Sequence, residues 1–79
     1  MPNLEKYTEA FCRTFDITAA QARGLNYQDI PAWNSIGHMN LIVALEDAFD
    51  IVFEPDDIIA FSSFEKGLEL LRTNYAVEL

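Results

Sequence analysis

Asn34-Ser35-Ile36-Gly37-His38-Met39-Asn40-Leu41-Ile42-Val43-Ala44-Leu45-Glu46-Asp47-Ala48-Phe49-Asp50 is the stretch that decides the fold. Its apolar residues recur at helical spacing, without the strict alternation of a strand. Asn34 offers a side-chain oxygen that can cap a helix opening at Ser35. With Leu41 at the origin of a helical wheel, His38, Leu41, Ile42, Leu45, Ala48 and Phe49 gather within about 60° of one direction, at about 40°. That arc predicts a core face. Ile36, Met39 and Val43 gather on the opposite side, at about 190°, with Glu46, Asp47 and Asp50 around them. An apolar centre inside a polar rim is the pattern of a protein–protein site. Met39 adds an adaptable side chain to it, and the acids would speed encounter with cationic patches. Spacing alone leaves two occupants for this second face, a partner or another part of the same chain.

Working outward, Leu4, Tyr7, Phe11 and Phe15 form a narrow stripe and predict a first helix from about Pro2 to Phe15. Pro2 suits a first-turn position, where an N–H is not needed. Residues 16–33 read as a long connection. Within it, 18–23 can hold a helical turn ended by Gly24, and Pro31 pushes Ile30 out of the helical region. So long a loop needs its own pins, and Ile17, Leu25, Ile30 and Trp33 are the candidates. Downstream, Pro55-Asp56-Asp57 opens a short helix reaching about Phe61, its acids suited to the positive end of the helix dipole. Ser62-Ser63-Phe64-Glu65 has capping-box spacing and predicts a last helix whose stripe is Phe64, Leu68, Leu71 and Tyr75. The expectation is all-α: a small bundle of four helices, three main and one short, with a long first loop, in one domain spanning 1–79.

Composition narrows the function. The chain has 79 residues with 13 acidic and 5 basic side chains, a net charge of −8. One domain of this size buries only about 60% of its unfolded surface, so packing quality matters. A hydrophobic fraction of 51% is too high for a disordered acidic tail. Five scattered cations form no basic stripe, which argues against nucleic-acid binding and against anionic lipid surfaces. No apolar run approaches the roughly 20 residues of a membrane span, and the N-terminus shows no secretory pattern. Cys12 alone makes neither an internal disulfide nor a cysteine-based metal site. It reads as a small hydrophobe beside the first stripe. The expected setting is a reducing cytoplasm, as a monomer that meets basic partners.

The run from Asn34 to Ile51 resembles the acyl carrier protein family. That family opens its second helix with Asp-Ser-Leu/Ile, here Asn34-Ser35-Ile36, and continues with Leu-x-x-x-Leu-Glu-x-x-Phe, here Leu41 to Phe49. Pro31-Ala32-Trp33 and Pro55-Asp56-Asp57-Ile58 also look like family features, and helix order and lengths agree over nearly the whole chain. The resemblance implies a fold of acyl-carrier type. It implies a 4′-phosphopantetheine arm on Ser35, taken from coenzyme A by a phosphopantetheinyl transferase, with an acyl or aminoacyl group held as a thioester. It implies no enzyme activity of its own, and Ile36, Met39, Val43, Glu46, Asp47 and Asp50 as the face that meets loading and processing enzymes with basic docking patches. The pathway could be fatty-acid or polyketide biosynthesis, and the interior between the second and last helices would admit part of an acyl chain. A serine at a helix mouth has its own rationale, since free amides and the helix dipole favour an attached phosphate.

Three departures point to a specialised carrier. Asn34 replaces the usual aspartate and keeps the cap without the charge that helps a transferase and its magnesium. Gly37 and Asn40 stand where fatty-acid carriers usually have acids. Gly37 is also a poor helix former, by roughly 1 kcal/mol against alanine.

Other readings are weaker. Ser35 and His38 share a helix side, but no orienting acid is placed beside His38 for a nucleophile–base pair. His38 is expected half-buried beside the long loop, where it would meet the arm's phosphate or an acyl group. Glu54-Pro55-Asp56-Asp57 lacks the alternation of a calcium loop, so no metal site is expected. A helical adaptor that never carries an arm is the main alternative.

Overall fold

Each apolar stripe becomes a helix facing a shared interior in the computed structural model, which describes residues 2–79. Helix α1 runs Pro2–Phe15 and buries Tyr7, Ala10, Phe11 and Phe15. Helix α2 is the single turn Ala19–Ala22, α3 runs Ser35–Phe49, α4 runs Pro55–Ala60 and α5 runs Phe64–Asn74. The helices therefore number five among the described residues, not the four expected, and the added one lies inside the long first loop. Thr18 and Gln21 explain it: the Thr18 hydroxyl accepts from the Gln21 amide while the Gln21 side chain accepts from the Thr18 amide. A reciprocal cap closes two open donors and makes a lone turn worthwhile. Gly24, at φ +73°, turns the chain out of it.

Helix α1 packs along α3, and the seam is aromatic. Phe11 sits at its centre, with ring centroids 5.1 Å from Tyr7, 5.5 Å from Trp33 and 5.0 Å from Phe64. From α5, Phe64, Leu68, Leu70 and Leu71 close the core against Leu41, Ile42 and Leu45 of α3. The interior between α3 and α5, expected to admit an acyl chain, is filled by these leucines together with Phe53 and Phe61.

The first loop is pinned as its apolar residues predict. Leu25 and Trp33 are buried, and Ile17 and Ile30 pack on the core. The loop also pairs with the α4–α5 connection. Asn26 and Ser63 form an isolated antiparallel bridge, with the Tyr27 amide donating to the Ser62 carbonyl and the Phe64 amide to the Leu25 carbonyl, both at 2.9 Å. That pairing corrects the cap of α5. The bridge holds Ser63 extended, at φ −162°, which is the conformation of a helix cap, and its Oγ accepts from the Lys66 amide at 3.0 Å. The expected Ser62–Glu65 box does not form.

At the other end, Tyr75 clamps α4. Its hydroxyl donates to Asp57 at 2.6 Å and accepts from the Glu54 amide at 2.7 Å. Inside the core the Tyr7 hydroxyl donates to the Phe64 carbonyl at 2.7 Å. Burial, and after it the charge of Glu65, hold the Tyr7 phenol far above the usual range. A raised pKa means that the stability Tyr7 contributes is complete below pH about 10 and is lost as pH rises beyond it. Above pH about 10, stability of the natural chain is expected to fall faster than that of Tyr7→Phe, by about 1.4 kcal/mol per pH unit. Urea unfolding between neutral and alkaline pH checks this. Parallel slopes for the two chains would refute it.

Candidate functional site

The mouth of α3 is built by three neighbouring residues with different tasks. Asn34 is extended, and its side-chain oxygen accepts from the Gly37 amide at 2.8 Å. This fulfils its predicted capping role and starts the helix at Ser35. Ser35 is exposed, and the first turn holds no acidic residue. The cap takes the Gly37 amide, and the exposed Ser35 hydroxyl stands at the positive end of the helix with no acid in the first turn.

Trp33 fixes the approach to this turn. It is 0% exposed, and its ring stacks on Phe15 at 5.4 Å and lies edge-on to Phe11. Its indole N–H donates to Nδ1 of His38 at 2.9 Å, and Nε2 of His38 is 2.8 Å from the Ile58 carbonyl. An indole only donates and a carbonyl only accepts, so the hydrogen of the ring resides on Nε2. His38 thereby ties the first loop, α3 and α4 together. Both ring nitrogens are engaged, which removes His38 as a base for Ser35 and as a ligand for an arm's phosphate.

Gly37 has a packing reason that helix propensity hides. A Cβ there would fall on the Ala32 carbonyl oxygen and close to the Phe15 ring. Loop and helix approach so closely only because that position carries no side chain.

Along α3, Ile36, Met39 and Val43 are 73%, 46% and 51% exposed, so among the described residues nothing covers the second face. Asp47 and Asp50 are exposed with them. Asp50 ends the helix in the left-handed region, at φ 54°. Glu46 behaves differently. It is half-buried, and its carboxylate accepts from the Phe53 amide at 2.8 Å, organising the chain after α3. Sequence spacing missed Val52 and Ile59, which are also strongly exposed. The signal was present in the alternation Ile51-Val52-Phe53 and in the doublet Ile58-Ile59, where one side chain of each set must face out. Of the acids near α4, Asp57 is already engaged, taking hydrogen bonds from Tyr75 and from the Asn74 amide group. Among the described residues no helix is long and apolar enough to cross a membrane. Comparison with protein-family models, with curated proteins and with solved structures found no match to this chain.

Proposed function

We propose that this chain is a carrier protein of acyl-carrier type, tethering acyl or aminoacyl intermediates through 4′-phosphopantetheine on Ser35 and presenting them to partner enzymes. The observation that carries this reading is an exposed serine at the first position of α3, directly ahead of an uncovered apolar stripe with acids at its rim. The residues present suit a phosphodiester: a free hydroxyl, a helix N-terminus and no acid in the first turn.

Ser35 Oγ would hold the arm as a phosphodiester at the mouth of α3, giving up its hydroxyl proton when the arm is attached. Asn34 holds the turn in place without adding charge. The group supplies a thiol on a flexible tether, which keeps an acyl group activated as a thioester and at high effective concentration near its enzymes. Ile36, Met39 and Val43 give a partner its apolar contact, while Asp47 and Asp50 steer basic patches toward it. Glu46, turned onto the backbone, contributes least.

Intact-mass measurement after incubation with coenzyme A, magnesium and a phosphopantetheinyl transferase tests this. The expected result is the addition of one phosphopantetheine, absent in Ser35→Ala and faster in Asn34→Asp. The neutral Asn34 favours one other reading, a helical adaptor that is never modified. That reading predicts an unchanged mass in every variant, including Asn34→Asp.

A further inference from the structure

His38 joins three segments through two hydrogen bonds of opposite sense. Its Nδ1 accepts from the Trp33 indole of the first loop at 2.9 Å, and its Nε2–H donates to the Ile58 carbonyl of α4 at 2.8 Å. That carbonyl lies in the last turn of α4, where helix carbonyls lack partners of their own. The imidazole is half-buried and nearly parallel to the indole, at 6.2 Å and 16°. Helix α4 leans on this bond, since it buries no residue fully. Its other side-chain ties lie nearer its start, where Tyr75 and Asn74 hold Asp57 and the Tyr75 hydroxyl takes the Glu54 amide.

We propose that His38 is an acid-released latch: neutral, it clasps the first loop and α3 to α4, and protonated, it lets go of both. An imidazolium has two donors and no acceptor. Its new N–H would point at the indole N–H of Trp33, whose ring is fully enclosed and cannot turn away. The charged ring can leave, because Tyr27, Phe61 and Ser62 beside it border a recess open to water. Leaving breaks the bond to Ile58 as well, so α4 keeps the ties at its start and loses the one at its end. The charges around the ring do not reverse this. On α3 the residues about a turn away, Asn34, Ser35, Leu41 and Ile42, carry none. The first loop offers the Tyr27 ring at 5.4 Å, and its Asp29 is turned onto the Asn26 amide. Helix α1 reaches the site through Phe11 and Phe15 against Trp33, and the α4–α5 connection through Phe61. On α4, Asp57 is engaged by Tyr75 and Asn74, while Glu54 and Asp56 are exposed. The carbonyl end of α4 favours a cation, but one short helix gives less than an enclosed N–H without an acceptor costs. The latch is therefore complete while His38 is neutral and is lost as pH falls through its protonation. It does not depend on an arm at Ser35.

The chain holds one tryptophan and one histidine, so each ring gives one identifiable NMR signal. The test follows the full chain from pH about 7.5 to about 5, with amide protection against hydrogen exchange corrected for the intrinsic effect of pH. The indole N–H signal of Trp33 is expected to move with the His38 ring, at a common midpoint. Protection of the Ile58 and Phe61 amides, which close α4 onto Glu54 and Asp57, is expected to fall about tenfold. Protection of Leu41 and Leu45 in α3 should hold. Trp33→Phe keeps a ring and removes the indole N–H, so His38 should then take its proton with no change in α4. His38→Gln cannot become charged and should show α4 protection that is flat across the range. If His38→Gln fails to fold, Trp33→Phe decides alone. A Trp33 signal that stays in place while His38 is protonated, unchanged α4 protection, the same loss in Trp33→Phe, or a loss shared by Leu41 and Leu45 would each overturn the latch.

Discussion

Trp33→Ala is expected to lose about 3–5 kcal/mol of stability. A chain of this length has roughly 4–12 kcal/mol in total, so much of the population would unfold at ordinary temperature. The magnitude follows from what the ring touches. Phe11, Phe15, Tyr27, His38 and Phe61 all lie within 6.5 Å of it, centroid to centroid. Truncation removes these contacts and also strips the acceptor Nδ1 of His38 of its donor. Trp33→Phe separates the two contributions. It keeps most of the ring burial and loses the N–H, so it should cost clearly less than alanine. Urea unfolding followed by far-ultraviolet circular dichroism reads both variants. A loss below about 1 kcal/mol for Trp33→Ala would mean that the first loop is not held by this residue.

Gly37→Ala should destabilise, although helix propensity predicts the opposite sign. Alanine in a helix interior gains about 1 kcal/mol over glycine. Here the new methyl group would collide with a backbone carbonyl, that of Ala32, and carbonyls cannot swing aside like side chains. The loop would have to shift and draw Trp33 with it, an overpacking cost of about 3 kcal/mol. The net expectation is a loss of about 2 kcal/mol. Asn40→Ala, at an exposed position of the same helix, supplies the control and should be neutral or slightly stabilising. A gain in both variants by urea unfolding would show that loop and helix do not touch as described.

Periodicity made α1, α3 and α5 legible, because each buries one side and exposes the other, whereas α4, which buries no residue fully, was legible from its Pro55-Asp56-Asp57 opening. Single residues with one structural use were legible as well: Asn34 as a cap, Pro55 as a helix opener, Trp33 as a loop anchor. What escaped depends on contacts between segments distant in sequence. The serine–glutamate spacing at 62–65 and the threonine–glutamine spacing at 18–21 obey the same local rule, yet only the second forms a cap. The first is overruled by pairing with the loop at Asn26. Gly37 looked like a weak helix residue until the Ala32 carbonyl was placed beside it. Glu46 looked like a surface acid until the amide of Phe53 turned back toward it. The exposed stripe of Ile36, Met39 and Val43 was visible as a pattern. That none of the described residues covers it required the positions of the other helices.

The single bridge between Asn26 and Ser63 has a kinetic meaning. It closes a loop that encloses the whole of α3 and α4, and closure of so long a segment is entropically slow relative to contacts between near neighbours. Helices can form and collapse before this clasp shuts, so its two hydrogen bonds are expected to form on the late side of the folding barrier. Strengthening them would slow unfolding and leave the folding rate almost unchanged. The clasp is then expected to add more to the lifetime of the arrangement around Ser35 than to its speed of formation.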